Sequence, residues 1–430
     1  MTVNKITYQN LQEEVYKLTL ESGLNVYLIP KPSFKETVGV LTANFGSLHT
    51  RYTRNGCVEH YPAGIAHFLE HKLFELDKGQ DAATQFTKYG AESNAFTTFD
   101  KTSFYFSTIS HITNCLDILL DFVLTTNFTE ESITKEKDII KQEIEMYQDD
   151  PEYRLYQGVL SNLYPNSPLA FDIAGDYQSI SQITLTDLQE NHKDFYQLSN
   201  MNLVLVGQFS PQEIITYLQK NSHLTNYSQN IDRDSISLEP VIKNNSCHMT
   251  VTKPKLAIGY RKSSHMRHGS YLKEKIGLQL FFAMLLGWTS TINQDWYESG
   301  QIDDSFDIEI EVHPDFECVI ISLDTTEPIA FSTQLRLLLK NALQSSDLTE
   351  SHLQNVKREL YGDFLRSLDS IENLAMQFVT YLYDGKTMYL DLPSIVEELD
   401  LEDVITIGKD FLDNADTSDF VIFPKSSLII

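Results

Sequence analysis

At 430 residues the chain is longer than one ordinary domain, and a spacing of about 100–200 residues per domain leads to an expectation of two to four units. Hydrophobic residues make up 42% and charged residues 22%, a globular balance that excludes a disordered or fibrous chain. The 33 basic and 60 acidic side chains leave a net charge of −27, which opposes a broad phosphate-contacting surface and argues against nucleic acid as a partner.

The first residues lack a charged-then-apolar leader pattern, and the longest apolar run, near 278–286, falls short of the ~18 residues that span a bilayer. A cytoplasmic protein without a membrane span is expected. Strand patterns at 16–20 and 24–29 flank a turn at 21–23, and a β-branched run follows at 37–45. After Pro62 the spacing becomes helical over 63–75, then returns to strand chemistry over 93–109. Helices are expected near 111–124, 130–148, 151–163 and 185–197, before an apolar strand at 202–206.

Residues 229–246 are polar with little periodicity and read as a linker between halves at 1–228 and 247–430. Beyond the linker the order of elements recurs. Asp187-x5-Lys193-Asp194-Phe195 matches Asp403-x5-Lys409-Asp410-Phe411, and Lys141-Gln142-Glu143-Ile144 matches Lys357-Arg358-Glu359-Leu360. Both pairs share one offset, 403 − 187 = 357 − 141 = 216, about half the chain. A shared offset points to duplication, hence to two α+β halves.

Cys57, Cys115, Cys247 and Cys318 are scattered without C-x-x-C spacing, so a metal would be held by His and carboxylates. His67-Phe68-Leu69-Glu70-His71 lies within the helical pattern after Pro62. Two His at i and i+4 share one helix face, so both imidazoles can reach one ion, and Glu70 stands beside them. This is the inverted zincin pattern, and zinc suits two neutral imidazoles plus a carboxylate with a position left open for water. The alternative is a pair of surface histidines on an amphipathic helix. A third ligand has to come from another element. Glu136, Ile140, Glu143 and Tyr147 fall on one stripe of the helix near 130–148, and a carboxylate on an inward stripe needs a partner such as zinc. The competing reading has Glu136 and Glu143 facing solvent and paired with lysines.

These motifs resemble the pitrilysin/insulinase family of zinc metallopeptidases, and within it the YmfH type of processing protease from Gram-positive bacteria. Gly64-Ile65-Ala66 precedes the H-x-x-E-H pentapeptide and Leu73-Phe74-Glu75 follows it; Gly90-x3-Asn94-Ala95-x-Thr97 and Glu136-x6-Glu143 come next, in the family's order. The resemblance implies two homologous halves, each a mostly antiparallel sheet covered by helices, with one Zn2+ per chain. It implies His67, His71 and Glu143 as ligands, Glu70 as general base and Glu136 as an outer carboxylate that orients the site. It also implies that Asn94, Ala95, Phe96 and Thr97 form an edge that receives an extended peptide.

Where many relatives supply an Arg and a Tyr from the second half, this chain reads 296–306 without an Arg, and Tyr297 is either a substitute in substrate binding or a core aromatic. The second half has no H-x-x-E-H, so Glu359 echoes Glu143 with no metal to bind. The resulting expectation is an endopeptidase acting on short or unfolded peptides in an enclosed chamber, as a homodimer or as a heterodimer with a related subunit. The alternative is a non-catalytic subunit that keeps the fold.

Overall fold

The structure is a computed structural model that describes residues 3–8, 13–221, 231–263, 268–383 and 385–425. The chain forms two compact units. The first comprises Met1–Glu145, Phe171–Asp234 and Ser367–Thr380, and the second comprises Met146–Ala170, Ser235–Arg366 and Tyr381–Ile430.

The first unit contains β1 (Asn4–Tyr8), β2 (Glu13–Thr19), β3 (Asn25–Pro30), β4 (Thr37–Ala43), β5 (Arg51–Arg54), β6 (Cys57–His60), β7 (Glu92–Thr97), β8 (Thr102–Thr108), β9 (Met201–Gly207) and β10 (Ile231–Arg233). Seven of these form a sheet in the order β1-β2-β3-β9-β4-β8-β7, in which only β3 and β9 run parallel. β4 and β9 are buried at every position because both faces of the sheet are covered, and they read as apolar runs rather than alternations. Leu41, Leu203 and Leu205 meet Phe104 and Phe106 in the core on one face. The other face of β4 and β9 is covered by the helix Ile371–Thr380, whose Phe378 packs on Tyr27 at 5.0 Å between ring centroids. β7 is an outer edge of this sheet. The expected strand at 93–109 is thus a hairpin, β7 and β8 joined by a turn in which Thr98 N–H donates to Lys101 O at 2.8 Å.

The second unit holds β11 (Asn244–Met249), β12 (Lys255–Lys262), β13 (Asp307–Val312), β14 (Glu317–Asp324) and β15 (Ala415–Pro424), in the order β11-β15-β12-β14-β13. β11 and β15 run parallel and the remaining neighbours antiparallel. This reproduces β3-β9-β4-β8-β7 strand for strand and direction for direction, so the fold is a duplicated α+β unit. Tyr271–Leu286 has no separate polar face and is buried along most of its length, as a core helix should be, with Glu274 paired to buried Lys262. No single helix among the described residues is long and apolar enough to cross a membrane.

The compact units do not coincide with the contiguous halves drawn from the sequence. The helix Pro151–Leu163 precedes the linker yet packs on β12 and β15, where a Cβ on Gly158 would come within 2.5 Å of the Phe420 ring. Conversely, Ile371–Thr380 packs on β4 and β9. Shifted by the repeat offset, Pro151 falls at 151 + 216 = 367 and Leu163 at 163 + 216 = 379, so corresponding segments of the two repeats are exchanged. The segment 229–246 is also more than a linker, since Ile231–Arg233 pairs with β5 and Asn244–Met249 with β15.

Candidate metal centre

Gly64 begins the helix Ile65–Leu73 with φ of 88°, and a Cβ there would lie 2.4 Å from Ala174 O, so only glycine fits this entry. The helix buries Ile65, Ala66, Phe68, Leu69 and Leu73 in the apolar core. That stripe fixes the rotation of the helix and sends His67 and His71 toward the helix Glu130–Asp149. The second helix is anchored in turn by buried Ile133, Ile140 and Ile144, which place Glu136 and Glu143 opposite the two imidazoles.

His67 Nε2 lies 3.7 Å from Glu143 Oε1, and His71 Nε2 lies 3.5 Å from Glu143 Oε2. One donor atom from each of His67, His71 and Glu143 lies within 4.8 Å of the others, the only such group among the described residues. These separations are long for hydrogen bonds. They match the ~3.4 Å between ligand atoms held tetrahedrally at roughly 2.0–2.1 Å from one zinc ion. The donor set therefore fits zinc. His71 Nδ1 is 3.1 Å from Glu136 Oε1, which fixes the tautomer and leaves Nε2 with its lone pair facing Glu143. His67 Nδ1 is buried with no hydrogen-bond partner.

Burial, aided by the neighbouring His71, pushes the His67 pKa down to about 3, so this imidazole stays neutral and able to ligate. Burial also acts against a charged His71, but its hydrogen bond to Glu136 and the nearby carboxylates of Glu70 and Glu143 outweigh it and raise its pKa. A cation and a proton thus compete for His71 Nε2. Burial raises Glu70 above the ordinary carboxylate range, against the pull of Thr97 and His71. Glu136 is held below that range despite its burial, by His71 and by Lys72 at 3.5 Å.

Lys72 is only 2% exposed and also pairs with Glu75. The sequence reading missed it, and its place directly after His71 was the only available signal. Lys135 pairs with Glu131 at 2.9 Å near the helix start. Glu145 accepts from Tyr177 on the far side of its helix, away from His67 and His71.

On β7, Ala95 N–H donates to Asn94 Oδ1 at 2.8 Å, while Asn94 and Phe96 lie on the face of Tyr105. Thr97 is directed to the opposite face, where its hydroxyl donates to Glu70. Tyr297 is 59% exposed on the helix Thr291–Glu298 of the second unit, and so is not the core aromatic of the alternative reading; that role falls to Trp296.

At the duplicated position, Ala283 and Gly287 stand where His67 and His71 would fall (67 + 216 = 283, 71 + 216 = 287). There Glu359 accepts from the Trp288 indole, and His352 Nε2, at the position of Glu136, is 2.9 Å from Thr289 Oγ1.

A duplicated α+β fold carrying H-x-x-E-H and a distant Glu in one copy defines a family. The chain matches the model for Insulinase (Peptidase family M16) over residues 58–176 and that for the Peptidase M16 inactive domain over 182–360. It belongs to the insulinase (M16) family of peptidases. It is 36% identical over 409 residues to the uncharacterized zinc protease YmfH of Bacillus subtilis (strain 168), covering 94% of this chain and 95% of that protein. Among solved structures, an M16-like peptidase from Alicyclobacillus acidocaldarius aligns with a TM-score of 0.89 at 28% identity, covering 97% of this chain and all of the other. Pitrilysin shares the fold with a TM-score of 0.70 at 16% identity, and the alignment takes in 98% of this chain but 46% of pitrilysin.

Proposed function

We propose that the chain is a zinc-dependent metalloendopeptidase that cleaves short or unfolded peptides. The observation carrying this reading is the convergence of His67, His71 and Glu143 to ligand spacing, with the Glu70 carboxyl on the same helix as both imidazoles. Zinc held by these three residues would supply a Lewis acid that lowers the pKa of a water molecule to about 7 and polarises the scissile carbonyl. Glu70 takes the proton of the attacking water and later returns it to the leaving amine. Glu136 holds His71 in the ligating tautomer. The open edge of β7, at Asn94, Ala95 and Phe96, receives the substrate as an added strand through backbone hydrogen bonds.

Pitrilysin is about twice the length of this chain over the same fold. We infer that two chains, identical or related, come together to enclose the peptide. A second reading, a non-catalytic subunit of such an assembly, is favoured by the match of 182–360 to the inactive-domain model and by the lack of Arg at 296–306.

Metal analysis combined with cleavage of a peptide library by wild type and Glu70→Gln separates the two. Zinc near one per chain, with cleavage lost in Glu70→Gln, supports the peptidase. Bound zinc without cleavage, alone or with a related subunit, supports the subunit reading.

A further inference from the structure

Within that peptidase reading, we propose that Thr97 is a positioning residue for Glu70 and not a ligand for the substrate. Thr97 Oγ1 donates to Glu70 Oε2. A hydroxyl has one proton to give, and the surroundings of Thr97 decide where it goes. Its cross-strand neighbour Thr102 lies with Oγ1 at 3.4 Å, but the Thr102 proton is committed to Phe45 O at 2.8 Å, a carbonyl that can only accept. Thr102 can thus only accept from Thr97, and at a long 3.4 Å, whereas the ionised Glu70 carboxylate is acceptor-only and lies much closer, so the Thr97 proton goes to Glu70.

The hydroxyl is held on a rigid base. Thr97 closes β7 opposite Thr102, and its β-branched side chain has few rotamers open to it. The turn that follows is pinned by Thr98 N–H to Lys101 O at 2.8 Å and by Ser47 N–H to Thr98 O at 3.1 Å. Glu70 is 9% exposed on a helix locked into the core. One bond thus ties the strand to the helix, fixes Oε2 and leaves Oε1 to take the proton. The strand proposed to receive the peptide is also the strand that aims the base, so substrate and base share one frame of reference.

The test compares zinc-loaded wild type, Thr97→Val and Thr97→Ser on a peptide that the wild type cleaves. Thr97→Val keeps the shape and removes the donor, and is expected to lower kcat on the order of 10- to 100-fold at unchanged KM and zinc content, the loss expected for a hydrogen bond to a charged group. Thr97→Ser restores the donor and is expected to recover most of that rate. Affinity for the same peptide, measured in the Glu70→Gln background with and without Thr97→Val, should not change. Equal kcat in wild type and Thr97→Val overturns the inference while leaving the peptidase reading intact. Weakened peptide binding or raised KM overturns it in favour of a substrate contact. Failure of the wild type to cleave any peptide removes the peptidase reading and this inference together.

Discussion

The Trp288 indole N–H donates to the carboxylate of Glu359, which stands 359 − 143 = 216 residues after Glu143. One copy of the duplicated unit brings its glutamate to two imidazoles; the other satisfies its glutamate with an aromatic donor. Zinc titration followed by elemental analysis is therefore expected to give one ion per chain in wild type and in Glu359→Gln, and none tightly held in Glu143→Gln. Two ions per wild-type chain would contradict this assignment.

Glu136 touches the centre only through His71 and Lys72. Glu136→Gln keeps the shape and can still hydrogen-bond to His71 Nδ1, but loses the charge that favours the ligating tautomer. Zinc affinity should fall about 10–100-fold, measured by competition with a chelator, with the fold unchanged by circular dichroism. An unaltered affinity would show that the carboxylate serves only Lys72.

Lys101 is buried and donates to Val379 O at 3.1 Å and Thr380 O at 2.7 Å, the last carbonyls of the helix Ile371–Thr380. Lys101→Met fills the same space and leaves these carbonyls unsatisfied, a loss of about 1–3 kcal/mol. Hydrogen exchange over 371–380 should accelerate more than elsewhere in the first unit. Uniform exchange across the unit would argue against a local clamp.

Two histidines outside the His67, His71 and Glu143 cluster set an acid dependence. Burial pushes His192 down to about 4, against its bond to Val123 O, and burial with the nearby Arg233 pushes His49 down to about 3. In the unfolded chain both take a proton near pH 6.5. Below that pH the unfolded state binds protons that the folded state refuses, so stability falls as pH drops from about 6.5 toward 4 for His192 and toward 3 for His49, and is unaffected by either above 6.5. For His192 the loss reaches on the order of 3 kcal/mol by pH 4. Thermal midpoints of metal-free wild type and His192→Gln between pH 7.5 and 4.5 should converge as the pH falls; parallel curves would remove His192 as a cause.

The candidate ligand cluster was legible because helix periodicity is local: i and i+4 put His67 and His71 on one face, and the Ile140 stripe carries Glu143 with it. The doubled architecture was legible from the recurring order of elements and the shared offset of 216. The destinations of Pro151–Leu163 and Ile371–Thr380 were not. Two copies of one unit offer similar apolar sheet faces, and an amphipathic helix suits either, so the choice between them lies in tertiary packing such as Gly158 against Phe420. The tie between Thr97 and Glu70 was missed for a related reason, since it joins a strand to a helix 97 − 70 = 27 residues away and leaves no periodic trace.

The exchanged helices impose an order on synthesis. The central strand β9 ends at Gly207, but the face of β4 and β9 that the helix Ile371–Thr380 covers stays bare until Thr380 has been made, 380 − 207 = 173 residues later. At about 5–20 residues per second, that exposes an apolar sheet for roughly 10–35 seconds on the ribosome. A break in the chain near the middle would leave each fragment holding a helix that belongs to the other. The half that carries the His67, His71 and Glu143 cluster is thus finished by the half that lacks it, and neither can be inherited alone.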